Sequence, residues 1–178
     1  MRAARSTSDI SRRRFMAGAA MGAALVVIDG AVFCPSEAWA LEATTLKPET
    51  VHTLIRMSRD VYPHDRLGDR TYAVAVKGFD AAAAKDPASR TLFEDGVTTL
   101  DGLAANGHAG RYVDVAWEAD RLALLRQIEN TPFFATVRSG LVVGLYNQKE
   151  VWPIFGYEGA SAPLGGYIHR GFDDIDWL

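Results

Sequence analysis

The sequence predicts an all-α domain, a small bundle of about five helices, followed by an irregular C-terminal tail rich in aromatics and glycine. Three observations carry that reading. Apolar residues recur at helical spacing in five segments between residues 48 and 146, each opened by a proline or a capping residue. No segment of that region alternates in the manner of a half-buried strand. From Asn147 onward the helical period stops, and Trp, Tyr, Phe and Gly crowd together.

Pro48 is a favoured first helical residue, and Val51, Leu54, Ile55, Met57 and Ser58 give a helical face that stops near Tyr62, before Pro63. Asp69 is expected to cap a second helix, Arg70 to about Lys85, burying Tyr72, Val76 and Phe79. Asp86-Pro87 opens a third, from Ala88 to Leu103, with Leu92, Phe93, Val97 and Leu100 in line and Gly96 inside it. After the turn Asn106–Gly110, Asp114 is expected to cap a fourth helix to about Asn130, with Trp117, Leu124, Leu125 and Ile128 as the buried stripe. Thr131-Pro132 caps the last, Phe133 to Tyr146, which is apolar nearly all round with Arg138 its only charge. Such a helix is expected to be buried on most sides. Gly140 and Gly144 let another backbone approach it, either inside the bundle or from a partner.

The N-terminus reads as an address rather than as fold. Arg2, Arg5, Arg12, Arg13 and Arg14 precede a weakly apolar stretch, Ala17 to Ile28, and the small-residue site Ala38-Trp39-Ala40 follows. Ser11-Arg12-Arg13-Arg14-Phe15-Met16 resembles the twin-arginine (Tat) export consensus. The apolar run is too short for a membrane span of ~20 residues, because Asp29 interrupts it. The expected organisation is a signal over 1–40, a helical domain over 41–146 and a docking tail over 147–178. The export residues are Ser11, Arg12, Arg13, Phe15, Ala38 and Ala40.

Of the 19 basic and 22 acidic residues, five and three lie within 1–40, which leaves 14 and 19 beyond it, a net charge of −5. A mildly acidic chain without a basic stripe is not built for nucleic acid. Cys34 is the sole cysteine and lies inside the expected signal, so residues 41–178 offer no disulfide, thiolate metal site or haem thioether link. No G-x-G-x-x-G, G-x-S-x-G or helical histidine pair is present, and His52, His64, His108 and His169 are scattered. These residues point to no catalytic, cofactor-binding or metal site.

Disordered tails are poor in aromatics, so a tail like this one should be ordered against something. It either wraps its own domain or docks on a second protein. The expected anchors are Trp152, Phe155, Tyr157, Tyr167, Phe172 and Trp177. The Tat motif, Tyr62-Pro63-His64, and the tail segments Phe155-Gly156-Tyr157-Glu158-Gly159, Pro163-Leu164-Gly165-Gly166-Tyr167 and Gly171-Phe172-Asp173-Asp174 together resemble the gluconate 2-dehydrogenase subunit 3 family. The resemblance implies a non-catalytic small subunit. Its large partner would be an FAD-dependent oxidoreductase of the glucose-methanol-choline type, with a cytochrome c carrying haem as a third subunit in some complexes. It also implies passage of the flavoprotein through the Tat translocase on this chain's signal, a periplasmic location and membrane association through the complex. A free-standing periplasmic binding protein or enzyme is the other class the residues leave open.

Overall fold

Pro48 starts the first helix of the bundle because its fixed φ suits a helical N-terminus and its missing N–H is not needed there. The computed structural model describes residues 43–108 and 110–168, with the backbone of Val26–Ile28 and Ala31–Phe33. From residue 43 on, all regular structure among the described residues is helical: α1 (Pro48–Val61), α2 (Asp69–Lys85), α3 (Pro87–Gly107), α4 (Glu118–Ile128) and α5 (Pro132–Tyr146). Short 3-10 turns occur at Tyr112–Asp114, Trp152–Phe155 and Ala162–Leu164. The expected all-α bundle of five helices is therefore the observed fold.

Within the segment read as a signal, β1 (Val26–Ile28) and β2 (Ala31–Phe33) pair antiparallel, Val26 opposite Phe33 and Ile28 opposite Ala31. They are separated by Asp29-Gly30, a pair favoured in two-residue hairpin turns. Reading that stretch only for its apolar length missed the hairpin.

The helices follow their stripes and caps. Val51, Leu54, Ile55, Met57 and Ser58 of α1 are all buried. On α2, Tyr72, Val76 and Phe79 are buried, but Gly68 rather than Asp69 stands at the cap position. Asp69 is the first helical residue, and its carboxylate accepts from Arg59 Nη1 at 2.6 Å. Asp86 caps α3, accepting from the Ala88 and Ser89 N–H groups at 3.1 Å each. This helix runs past the expected Leu103 to Gly107, because Ala104 extends the stripe of Phe93, Val97 and Leu100 by one more turn. The ring of Phe133 lies where a Cβ at Gly96 would stand, which accounts for that glycine. Thr131 Oγ1 accepts the Phe134 N–H at 3.2 Å and fixes the start of α5.

Three further expectations fail. Asp114 does not cap α4; its carboxylate accepts the Arg111 N–H at 3.2 Å and closes the 3-10 turn instead. Trp117 precedes the first turn of α4, falls off the helical stripe and is 75% exposed. Nor is α5 buried on most sides. Phe133, Val137, Leu141 and Leu145 face the core, while Val142 and Val143 are 47% and 65% exposed.

Helices α2 and α5 run antiparallel in close register. Gln148 Nε2 donates to the Thr71 carbonyl at 3.0 Å, a Cβ at Gly144 would meet Ala75 Cβ at 3.0 Å, and Gly140 faces the Phe79 ring. The two glycines serve packing within the bundle itself.

The lead-in to α1 is clamped by two carboxylates. Asp80 of α2 accepts from the Thr44, Thr45 and Leu46 N–H groups at 3.1, 3.0 and 2.8 Å and from Thr44 Oγ1 at 3.0 Å. Glu94 of α3 accepts the Lys47 N–H and the Thr50 hydroxyl, each at 2.8 Å. Burial pushes both carboxyls up, and these hydrogen bonds outweigh it, so both titrate below their ordinary 3.8 and 4.5. Carboxyls depressed in the folded state add stability above those ordinary values and lose it as pH falls through the folded values. We therefore expect the urea midpoint to fall as pH drops below about 4. The fall should be smaller in the Asp80→Asn, Glu94→Gln variant, and equal falls in the two proteins would remove the clamp from the account.

Candidate partner-docking surface

Pro63 ends α1, and the backbone it releases is taken up by a phenol. Tyr72 OH donates to the Tyr62 carbonyl at 2.7 Å and accepts the His64 N–H at 3.2 Å. This sets His64 against the end of α5, where Nε2 hydrogen-bonds Tyr146 OH at 2.7 Å. Burial raises the Tyr146 and Tyr72 phenols above their ordinary range, so both remain protonated hydrogen-bonding groups.

The tail hooks onto this junction. Val151 is 1% exposed, and Trp152 Nε1 donates to the Tyr146 carbonyl at 2.8 Å. Arg66 Nη1 reaches the Ile154 carbonyl at 2.9 Å. Phe155 lies edge-on to His64 and Tyr146, with ring centroids at 5.0 and 5.8 Å. Gly156, at φ 73°, reverses the chain so that the Tyr157 N–H returns to the Trp152 carbonyl at 2.9 Å, and the Tyr157 ring meets Trp152 edge-on at 5.2 Å. A side chain at Gly156 would strain that left-handed turn.

Of the expected anchors, Trp152 is therefore half-buried against its own domain, and Trp152–Tyr157 and Phe155–His64–Tyr146 form two small ring clusters. Phe155, Tyr157 and Tyr167 leave 43%, 50% and 62% of their surface open. Leu164 and Ile168 are exposed beside them in sequence. Phe172 and Trp177 lie outside the described residues, as do Ser11, Arg12, Arg13, Phe15, Ala38 and Ala40.

A second exposed apolar element was missed in the sequence. Val142 sits one turn before Tyr146 on α5, and Val143 lies next to it. Across the α2/α5 seam, Val74 and Gly78 are also exposed, as is Ser139 on α5, and none of these carries charge. The signal was present in α5, which is apolar nearly all round apart from Arg138 although the bundle covers only one side of it. Exposed apolar residues beside exposed aromatics have the composition of an interface centre, and here Arg138, one turn before Val142, and Lys77, between Val74 and Gly78, place charge at its edge.

The most polar buried cluster has no open chemistry. Asp60 accepts from Tyr112 OH at 2.7 Å, Arg121 Nε at 2.8 Å and Arg121 Nη2 at 2.9 Å, and Arg121 Nη1 donates to the Val115 and Ala116 carbonyls. Burial, then the Asp60 charge, drives the Tyr112 phenol up, and it stays a donor. Arg56 Nε lies 3.9 Å from the same carboxylate, and the Asp60 and Arg121 side chains are no more than 5% exposed, so the cluster is a structural strut that ties the helices together. Among the described residues no group of three His, Cys, Asp or Glu is placed to hold a metal, and no helix is long and apolar enough to cross a membrane. No family model, curated protein or solved structure matches the chain.

Proposed function

We propose that this chain is the non-catalytic small subunit of a periplasmic, membrane-associated FAD-dependent dehydrogenase. It would bind a flavoprotein of the glucose-methanol-choline type, stabilise it and escort it through the Tat translocase. A cytochrome c would complete the complex where electrons pass onward. The observation that carries the reading is the surface: a tail hooked to the domain by Val151, Trp152 and Phe155 continues into exposed Tyr157, Leu164, Tyr167 and Ile168, and α5 adds the uncharged Val142–Val143 patch. A protein that binds only the folded form of its partner stabilises it by mass action.

The test is a pull-down of the tagged chain from its native host with an absorbance spectrum of the eluate. A larger co-eluting protein with flavin bands is the expected result. Truncation after Gly159 leaves the hook in place and should abolish co-elution, as should Val143→Glu, which puts a charge in the exposed apolar pair Val142–Val143. A colourless, monodisperse monomer from the unmodified chain would overturn the subunit reading in favour of a free-standing binding protein.

A further inference from the structure

Between the end of α1 and the α4–α5 hairpin lies an open cleft of about 540 Å³, a size common among small-molecule sites. Two helices build it with the same device. On α4, Leu122 is followed one turn later by Arg126; on α5, Phe134 is followed one turn later by Arg138. Residues four apart share a helix face, so each pair presents an apolar side chain beside a guanidinium. Leu125 is buried, whereas Leu122, Phe134 and Tyr62 are only half-buried, so the bundle covers this apolar floor in part.

The charges of the lining do not cancel. Arg126 and Arg138 are exposed, and no ion pair to either is found among the described residues. Of the two acids, Asp60 is held by two nitrogens of Arg121, with Arg56 Nε 3.9 Å from the same carboxylate. Glu129 is exposed, and its one charge leaves the two arginines in excess. An apolar floor alone would suit a neutral ligand, and two arginines alone a passing counter-ion. Side by side, they suit a molecule that has both parts.

We propose that this cleft binds a small amphipathic anion, an organic acid whose apolar body lies on Leu122, Leu125 and Phe134 and whose acidic head pairs with Arg126 and Arg138. A guanidinium matches a carboxylate with two parallel N–H donors, and a floor that excludes water strengthens the pairing. The apolar contact supplies affinity, and the charges select against neutral molecules of the same shape. The site lies within this chain and needs no partner protein, so it stands apart from the flavoprotein-docking role.

Titration of the isotope-labelled full-length chain with decanoate, below its micellar concentration and followed by backbone amide shifts, tests this. Saturable binding is expected, with the largest shifts at Leu122, Arg126, Phe134 and Arg138. Decanol keeps the chain without the charge, and acetate the charge without the chain; each should bind at least about tenfold more weakly. Arg126→Gln and Arg138→Gln should each weaken decanoate about tenfold, with an unchanged melting curve and partial recovery in the lysine variants. Arg90→Gln, an exposed arginine outside the cleft, should have no effect. Decanol binding as well as decanoate would overturn the proposal. So would an equal loss in Arg90→Gln, or shifts centred on Val142–Val143 or the tail. Phosphatidylglycerol vesicles then separate the sources of such a ligand: displacement of decanoate assigns the site to an anionic lipid, and its retention assigns the site to a soluble acid.

Discussion

Arg121→Ala is expected to cost toward the lower end of about 3–5 kcal/mol, because it strips the buried Asp60 carboxylate of its two-nitrogen partner and leaves only Arg56 Nε, at 3.9 Å, as a cation nearby. For a domain of this size that corresponds to a melting temperature lower by on the order of 10–20 °C. The geometry sets the size of the effect. Arg121 meets Asp60 through two nitrogens, at 2.8 and 2.9 Å, and its third donates to two carbonyls of the Val115–Ala116 turn. One side chain therefore ties α1, α4 and the segment between α3 and α4 together. Tyr112→Phe removes a single donor from the same carboxylate and should cost about 1–2 kcal/mol. Replacing both charges, as Asp60→Leu with Arg121→Met, should recover most of the loss, since only the partly exposed Arg56 is then left without its carboxylate. Thermal melts of the four proteins check this. A single-variant loss no larger than that of Tyr112→Phe would mean that water reaches the site when the arginine is removed.

That strut also marks where sequence reading stopped. The apolar periods located five helices, and the caps at Asp86 and Thr131 and the proline at Pro48 set three of their starts correctly. The same periods hold Arg121 in line with Leu124, Leu125 and Ile128, and Asp60 one turn past Met57. A charge on an apolar stripe in each of two helices was a legible hint of a buried pair, but spacing within one helix does not say which other helix faces it. Trp117 failed for the opposite reason: its bulk suggested burial, and its place before the first helical turn decided exposure. In α5 an apolar surface broken only by Arg138 gave little sign of which side the bundle would cover, so Val142 and Val143 became visible only once α2 was seen to occupy the face of Gly140 and Gly144. The hook around Trp152 depends on Tyr146, His64 and Arg66, contacts more distant in sequence than any local pattern records.

If the chain is the proposed escort subunit, Arg12→Lys together with Arg13→Lys is expected to leave the dehydrogenase activity of the proposed complex in the cytoplasm, with little in the periplasm. The expectation rests on continuity between the proposed signal and the proposed docking face. Residues 44–46 are held by four hydrogen bonds to Asp80, which lies on α2. Helix α2 packs in register on α5 through Ala75–Gly144 and Phe79–Gly140, and α5 carries both Val143 and the tail junction at Tyr146. The covalent chain from the proposed signal is what would draw docked cargo along, and the packed path from residues 44–46 through α2 to α5 holds the junction in order. Asp80→Ala should separate the two contributions. The signal stays covalently attached in that variant, so export should persist even though the clamp is weakened. Activity measured in periplasmic and cytoplasmic fractions of the three strains decides the matter. Normal periplasmic activity in the lysine-pair strain would sink the escort role and leave docking, tested independently by co-elution, as this chain's contribution.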